Sequence, residues 1–191
     1  MPTQTFWNLS LEKREKLVTA AKKEFARVVL PEASINKIIQ DAQIPRGSFY
    51  MYFKNKEELY FYILLEYRNR AISRILELLE ENQGDVIATF AVLYEDIIEY
   101  CSQKSQAQYF KNVFLNMNLY MEKKVLFPSL KEDQRPRTQP ALQNAINTDL
   151  LSEEAKEHLE DVLGMLFQTM THNVVPVLLF DMSYETAKQL I

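Results

Sequence analysis

Residues 34–58, SINKIIQDAQIPRGSFYMYFKNKEE, are the most informative stretch of this chain. Apolar residues recur there at helical spacing as far as Ala42, and Pro45 then marks a tight turn before a second, very short helix over residues 46–53. Two short helices joined by so tight a turn cannot bury a core by themselves. Such a pair usually presents its second helix to a groove in DNA. The segment therefore predicts a helix-turn-helix.

The second helix of this pair carries the chemistry that binding to DNA requires. Arg46 can fork onto a guanine edge or clamp a phosphate, and both interpretations stay open. Gly47 lacks a side chain, so the backbone can approach a partner closely. Phe49 and Phe53, four residues apart, are predicted to anchor the opposite face. Hydroxyl groups for phosphate oxygens come from Ser48, Tyr50 and Tyr52.

Two residues outside the second helix complete the predicted DNA-binding set. Ser34 stands at the predicted N-terminus of the first helix of the pair, where free N–H groups favour a phosphate. Lys56 opens the following helix, and its ammonium can position the head on the DNA backbone. Asn55 and Glu58 are predicted to cap that helix together. Because one short helix contacts only a few base pairs, we expect a homodimer on a palindromic double-stranded operator.

These residues resemble the DNA-binding head of the TetR family of bacterial transcriptional regulators. The similarity covers about residues 10–65 and is most specific in the run from Gly47 to Leu59. Gln43 stands where the family usually has glycine, so it is expected to adopt a left-handed conformation. Met51 replaces a frequent tyrosine. The resemblance implies an all-α protein, in which a three-helix head is followed by a helical body that encloses an effector cavity and dimerises.

Composition supports an almost wholly helical chain, because 191 residues include only three glycines. The long helix from Asn55 leaves the head and enters the body without a flexible linker. We assign residues 1–56 to the DNA-binding domain and residues 57–191 to the effector-binding and dimerisation domain. About nine helices are predicted, over residues 10–28, 34–42, 46–53, 55–82, 85–104, 106–127, 140–147 and 152–175, and from residue 184, with a loop at 128–140.

The charge distribution and the cysteine content indicate a binding partner and a cellular compartment. The net charge of −4 divides into +3 for residues 1–60, with ten basic and seven acidic residues, and −7 for the remainder, with twelve and nineteen. A basic head on an acidic body orients the head toward phosphates. Cys101 is the single cysteine and excludes an intrachain disulfide, so a cytoplasmic location is expected. Residues 162–180 are uncharged but include several polar residues, which argues against a membrane span.

The body is predicted to hold two further sites. A small apolar or amphipathic effector is expected between the fourth, fifth and eighth helices, where aromatic rings, flexible sulfur and a few polar groups combine. The candidate wall residues are Phe90, Tyr94, Phe114, Met165, Gln168 and His172. His172 fits either a polar group of that cavity or an interface histidine. The resemblance implies a dimer interface, and a 4-3-4 apolar spacing indicates its residues as Leu159, Leu163, Leu166 and Met170.

An enzyme has little support in this sequence. No catalytic residues are predicted, because no Ser/His/Asp or Cys/His spacing and no glycine-rich phosphate loop occurs. No metal site is predicted either. His158 and His172 lie fourteen residues apart on one predicted helix, about 21 Å along its axis, which is too far for one ion. No cofactor is expected, although haem as the effector stays open. The rival hypothesis is a helical small-molecule carrier or enzyme that retains a vestigial head.

Overall fold

The computed structural model describes residues 2–102, 108, 111–112, 140–179, 182 and 184–188. These residues form helices and the turns between them, which confirms the all-α prediction. Two short 3-10 turns, Leu30–Glu32 and Thr148–Leu150, accompany ten α-helices in this described part. The α-helices are α1 (Gln4–Trp7), α2 (Leu11–Arg27), α3 (Ile35–Ala42), α4 (Arg46–Tyr52), α5 (Lys56–Glu81), α6 (Val86–Ser102), α7 (Pro140–Ala145), α8 (Glu153–Glu157), α9 (Leu159–Leu179) and α10 (Tyr184–Lys188).

The chain divides into two compact units. The first contains the residues up to Arg68 together with residues 108, 111 and 112, and the second contains the other described residues from Asn69 onward. The division falls inside α5. The functional boundary at residue 56 stays a prediction. No helix in the described ranges is both long enough and apolar enough to cross a membrane.

The first unit is held by an apolar core to which α1, α2, α3, α4 and the first part of α5 contribute. α2 packs against α3, and α1 packs against α4. The buried stripe of α2 contains Leu17, Ala21 and Phe25, as its spacing predicts. The residues that are no more than 1 % exposed include Phe6, Leu17, Ala21, Phe25, Ile38, Phe49, Phe53, Leu59, Tyr60 and Ile63. Because one face of α4 packs into this core, the opposite face of α4 is directed away from it.

The second unit has its own apolar cluster, built from α5, α6, α7 and α9. Its buried members are Ile75, Leu78, Leu79, Val86, Phe90, Leu93, Leu142, Ile146 and Leu163. α6 packs against both α9 and α10. Gly84, with a positive φ of 81°, ends the turn after α5, and its N–H donates to the Leu79 carbonyl at 2.7 Å. The predicted end of this helix at about residue 82 therefore agrees with the observed end at Glu81.

Several predicted boundaries differ from those observed. The predicted helix over 152–175 is two helices, because His158 has φ −113° and ψ 30° and so leaves helical geometry. Leu159 then packs against the cluster of the second unit. α9 continues through Pro176 to Leu179, since buried Val177 and Leu178 keep the last turn attached to the core. The predicted helix at 106–127, the predicted loop at 128–140 and Phe114 lie outside the described residues, apart from 108, 111, 112 and Pro140, which begins α7 instead of ending a loop.

Candidate nucleic-acid interface

α4 presents one face to the core and the other to solvent. Phe49 and Phe53 are fully buried, and their rings lie 6.3 Å apart between centroids. On the opposite side Arg46 is exposed, and Tyr50 and Met51 are 47 % and 57 % exposed. The anchoring role predicted for the two phenylalanines agrees with this packing. Buried aromatic rings therefore hold the exposed side of a two-turn helix in position.

The turn between α3 and α4 has the left-handed residue expected from the sequence. Gln43 has φ 55° and ψ 44°, and the next N–H, that of Ile44, donates to the Ile39 carbonyl at 3.0 Å. Lys16 of α2 donates to the Gln43 side-chain oxygen. A glycine would adopt this conformation without strain. In this chain the strained residue is Gln43, whose side chain accepts the exposed hydrogen bond from Lys16. The predicted left-handed conformation of Gln43 is confirmed.

Four of the predicted DNA-binding residues line one open cleft in the first unit. The cleft has a volume of about 310 Å³ and lies where α3, α4 and α5 begin. Ser34, Arg46, Tyr50 and Lys56 come together there, with Ala33, Ile35, Asn36, Asn55 and Glu57. Ser34, Arg46 and Lys56 stand at helix N-termini, and Tyr50 adds a second hydroxyl from later in α4. Two cationic side chains and two hydroxyl groups make a surface suited to phosphate oxygens.

Lys56 has a structural partner within this cleft. Its ammonium donates to the carbonyl oxygens of Pro31 at 2.7 Å and Ala33 at 3.0 Å. These bonds fix the segment that leads into α3. The charge of Lys56 therefore lies beside Ser34 rather than extending freely into solvent. Lys56 positions the first turn of α3 and adds positive potential to the cleft.

Ser34 is held by a residue that the sequence analysis missed. The Ser34 N–H donates to the Glu24 carboxylate at 2.9 Å, and the Ser34 side chain makes no capping bond to α3. Glu24 is 5 % exposed and also accepts two hydrogen bonds from Arg27, at 2.7 and 2.8 Å. These bonds to Arg27 above all, with that from Ser34, hold the pKa of Glu24 below its usual value. One signal was available: Glu24 lies within the apolar stripe of α2.

Replacing Glu24 by glutamine is expected to reduce stability in a pH-dependent way. The change should lower the free energy of unfolding by about 1.5–3 kcal/mol near neutral pH, because hydrogen bonds to a charged group are lost. Since the folded-state pKa of Glu24 is lowered, its stabilisation is present above the unfolded value of 4.5 and is lost as pH falls through the folded value. Urea denaturation across that range measures the difference between the two proteins. Glu15→Gln, an exposed change on the same helix, is the control; a pH-independent difference for Glu24→Gln contradicts the assignment.

The remaining predicted contacts on α4 have different environments. Gly47 is exposed, and a Cβ added there would have no atom within 4 Å. Ser48 is half-buried, and its N–H donates to the Pro45 carbonyl at 3.0 Å. Tyr52 is also half-buried, with its ring centroid 6.4 Å from that of Phe6. The DNA contacts of all seven residues stay predictions.

Asn112 is a second residue that local sequence patterns do not reveal. It is 5 % exposed, and its side-chain amide donates to the carbonyls of Phe25 and Ala26 at 3.0 and 2.9 Å. These carbonyls belong to the last turn of α2, which has no following turn to satisfy them. A residue distant in sequence thus caps a helix of the first unit.

The candidate effector residues do not share one environment in the second unit. Phe90 and Tyr94 are buried, whereas Met165 is 61 % exposed and Gln168 and His172 are also exposed. The Tyr94 hydroxyl is buried and has no hydrogen-bond partner among the described atoms. Burial raises the pKa of Tyr94. Both the six-residue wall and its ligand stay predictions.

The candidate dimer residues lie against the core of the second unit. Leu163 belongs to its buried cluster, and the other three residues of the 4-3-4 stripe, Leu159, Leu166 and Met170, pack on that cluster. Met165 and Phe167, 61 % and 41 % exposed, lie on other faces of α9. The stripe therefore has an intrachain packing role that its spacing did not distinguish from an interface. Its part in dimerisation stays a prediction.

His158 is exposed, with Nδ1 3.7 Å from Asp161, as expected for a surface histidine. In the described ranges no group of three His, Cys, Asp or Glu side chains is arranged to hold a metal ion.

Comparison with known proteins identifies the family. A family model described as "Tetracyclin repressor-like, C-terminal domain" matches residues 85–191, more than half of the chain. A second model, described as "Bacterial regulatory proteins, tetR family", matches residues 17–63 and so includes the helix-turn-helix.

Individual proteins also resemble this chain. The "Uncharacterized HTH-type transcriptional regulator YuxN" of Bacillus subtilis (strain 168) is 33 % identical over 94 residues, which are 47 % of this chain and 32 % of that protein. The similarly described YdgC of the same organism is 27 % identical over 126 residues, 64 % of each protein. The chain thus spans less than two thirds of either relative. A TetR family transcriptional regulator from Chloroflexus aurantiacus J-10-FL has a TM-score of 0.48 and 21 % identity, with 93 % of this chain and 95 % of that chain covered. Because the two family models match successive regions and the C-terminal one covers more than half of the sequence, this chain belongs to the TetR family of bacterial regulatory proteins.

Proposed function

We propose that this protein is a homodimeric transcriptional repressor that binds a palindromic DNA operator and is released by a small apolar or amphipathic effector. The observation that carries the proposal is the open cleft beside the N-termini of α3, α4 and α5, which is lined by Ser34, Arg46, Tyr50 and Lys56. DNA binding and ligand response are typical of the family. The charge balance of +3 in residues 1–60 against −7 in the rest supports approach to DNA with the head first.

Selection from a pool of randomised duplex DNA tests the DNA-binding part of this proposal. The full chain should enrich a two-fold-symmetric motif, because two copies of α4 read equivalent half-sites. Binding to the enriched duplex, measured by gel shift at several salt concentrations, should weaken as the salt concentration rises. A folded protein that enriches no motif and shifts no duplex favours the rival hypothesis of a helical carrier or enzyme with a vestigial head.

The exposed face of α9 supports a homodimer. Met165 exposes a large apolar side chain there, beside the exposed polar groups Gln168 and His172. Because Leu159, Leu163, Leu166 and Met170 pack within the second unit, we propose that the exposed face supplies most of the contact between two copies. Met165→Glu should then shift the protein toward the monomer in sedimentation analysis, since a charge would be buried without a partner. The control is Glu99→Gln, an exposed change on α6, which should leave the sedimentation behaviour unchanged. Thr169→Glu does not serve as a control, because Thr169 is exposed on the same helix as Met165.

Tyr94 supports an effector site in the second unit. A buried hydroxyl without a partner among the described atoms is costly, and a ligand that accepts or donates one hydrogen bond would satisfy it. Phe90 lies one helical turn away on the same helix and is also buried. We propose that these two side chains form the part of the wall that orients the effector, with Phe90 as the apolar contact and Tyr94 as the polar one.

Tyr94→Phe is expected to stabilise the ligand-free protein. Removing an unsatisfied buried hydroxyl should raise the free energy of unfolding by about 1 kcal/mol, measured by urea denaturation. Tyr100→Phe, on the same helix and half-buried, provides the comparison, because Tyr100 does have an interaction partner. If Tyr94→Phe lowers the stability instead, the hydroxyl is bonded within the protein and is not a free group for an effector.

Asn112 supports a route from the body to the head. It falls within the region matched by the TetR-like C-terminal domain, residues 85–191, yet it caps the last turn of α2 in the first unit. An effector changes DNA affinity only if it binds two states of the protein differently. We propose that the position of Asn112 differs between these states, so that α2 and the helix-turn-helix packed on it move together.

A further inference from the structure

The N-terminal helix α1 holds the end of α4, and this contact was not predicted from the sequence. The backbone N–H of Thr3 donates to the Tyr52 carbonyl at 3.0 Å, and the Thr3 hydroxyl donates to the Met51 carbonyl at 2.5 Å. The last carbonyls of a helix have no partner within the helix. Thr3 therefore satisfies two of the unpaired acceptors at the C-terminus of the DNA-facing helix.

The same hydroxyl also begins α1. Thr3 is the N-cap of α1, where its side-chain oxygen accepts from the Phe6 N–H at 3.4 Å. One hydroxyl group thus joins the start of α1 to the end of α4, as donor to one and acceptor from the other. A change in this group alters both helix ends together.

Phe6 anchors α1 to the core of the first unit. It is fully buried, and its ring lies 5.0 Å from Phe53 and 5.2 Å from Tyr62 between centroids, with edge-to-face geometry. Phe53 directly follows α4. The attachment point of Thr3 is therefore fixed by aromatic packing three residues away, so Thr3 cannot follow a free movement of α4.

α4 depends on such external contacts because it is short. It has seven residues, and a helix of two turns is not stable by itself in water. Tyr50 and Met51 belong to its last turn, so fraying at this end would displace the exposed Tyr50 side chain from the cleft. The Thr3 bonds restrict this fraying at a distance from the cleft, which Thr3 does not line.

We infer that Thr3 is a positioning residue for operator binding: by capping the C-terminus of α4 it holds Tyr50 and Arg46 in register with the DNA without contacting the DNA itself. This inference rests on the proposed DNA-binding function. It identifies α1, which lies outside the family-matched residues 17–63, as part of the DNA-binding head of this chain. The affinity and the sequence discrimination of the protein depend on it.

Thr3→Val tests this inference, because valine keeps the shape and removes the hydroxyl. Operator affinity should fall roughly fivefold to a hundredfold, since one net hydrogen bond is lost in each of two heads. The slope of affinity against salt should stay that of the wild type, because no cationic group is removed. Thr3→Ser restores the hydroxyl and should restore the affinity. Thr5→Val, an exposed change on α1, should leave it unchanged.

Amide hydrogen exchange provides a second measurement on the protein without DNA. The Phe53 N–H, which donates to the Phe49 carbonyl at 2.9 Å, should exchange faster in Thr3→Val than in the wild type, whereas α6 amides should not change. Wild-type affinity in Thr3→Val overturns the inference. Reduced affinity with wild-type exchange at the Phe53 N–H also overturns it, because Thr3 would then be a direct DNA contact rather than a cap of α4. A wild-type protein that binds no operator refutes the proposed function instead, so the two failures are distinguishable.

Discussion

Arg46→Ala is expected to weaken operator binding more than any other single change on α4. The loss should be about 1–3 kcal/mol in each half-site if the guanidinium reads a base, and roughly twice that for the dimer. Arg46 is exposed at the first position of α4, beside the N-terminus of α3 in the cleft. Its planar fork can match two acceptors on one guanine edge, which no other residue at this end of the helix can do.

The measurement that decides the role of Arg46 is a comparison across DNA sequences. Affinities of the wild type and Arg46→Ala are measured for the selected operator and for operators with one base pair changed. A base-reading role predicts relaxed preference at one position of each half-site, and Arg46→Lys should not restore it, since lysine keeps the charge but loses the fork. An equal loss on every sequence, with a lower salt slope, assigns Arg46 to a phosphate and contradicts the base-reading role.

Gly84→Ala is expected to be among the most destabilising single substitutions in the second unit. Gly84 has φ 81°, and a Cβ there would lie 2.5 Å from the Asn147 backbone nitrogen, which also donates to the Gly84 carbonyl at 2.9 Å. A left-handed alanine costs about 1–2 kcal/mol, and relief of the clash must move the backbone after α7. We therefore expect a loss of about 2–4 kcal/mol in the free energy of unfolding.

Gly47→Ala is the matched control for Gly84→Ala. Gly47 lies in α4 with no atom within 4 Å of an added Cβ, so alanine should stabilise the helix by about 0.5–1 kcal/mol. Urea denaturation of both variants without DNA measures the contrast. Equal stability for Gly84→Ala and the wild type would mean that the contact between Gly84 and Asn147 does not persist in solution.

The helix-turn-helix was predictable because its signals are local. The apolar spacing of Ile38, Ile39 and Ala42 gives one buried face, and Phe49 and Phe53 give the next. The left-handed conformation of Gln43 was expected from the family resemblance, because glycine is usual at this position. Helix existence and the direction of exposed side chains depend on these short-range patterns, so Arg46 and Tyr50 were identified together with their exposed face.

The environment of the candidate body sites was not predictable in the same way. Residues 162–180 carry no charge, so periodicity in α9 does not distinguish an intrachain core from an interface or a cavity wall. The packing of α9 against α6 determines which of its residues face the core: Leu163 is buried, whereas Met165 and His172 are exposed. The break at His158 is likewise a tertiary feature, since Leu159 turns toward the core of the second unit.

Local residue patterns were enough to predict a helical chain, the position of its helix-turn-helix and the chemistry that α4 exposes. The tertiary structure was needed to find the donors that cap the ends of α4 and α2: Thr3 bonds to Met51 of α4 across 48 positions, and Asn112 bonds to Phe25 of α2 across 87. The last carbonyls of any helix lack a hydrogen-bond donor within the helix, so the unpaired acceptors follow from the local sequence. Which residue donates to them depends on the tertiary fold, because the donor is distant in sequence. Local patterns define the acceptor, and only the packed chain supplies the donor.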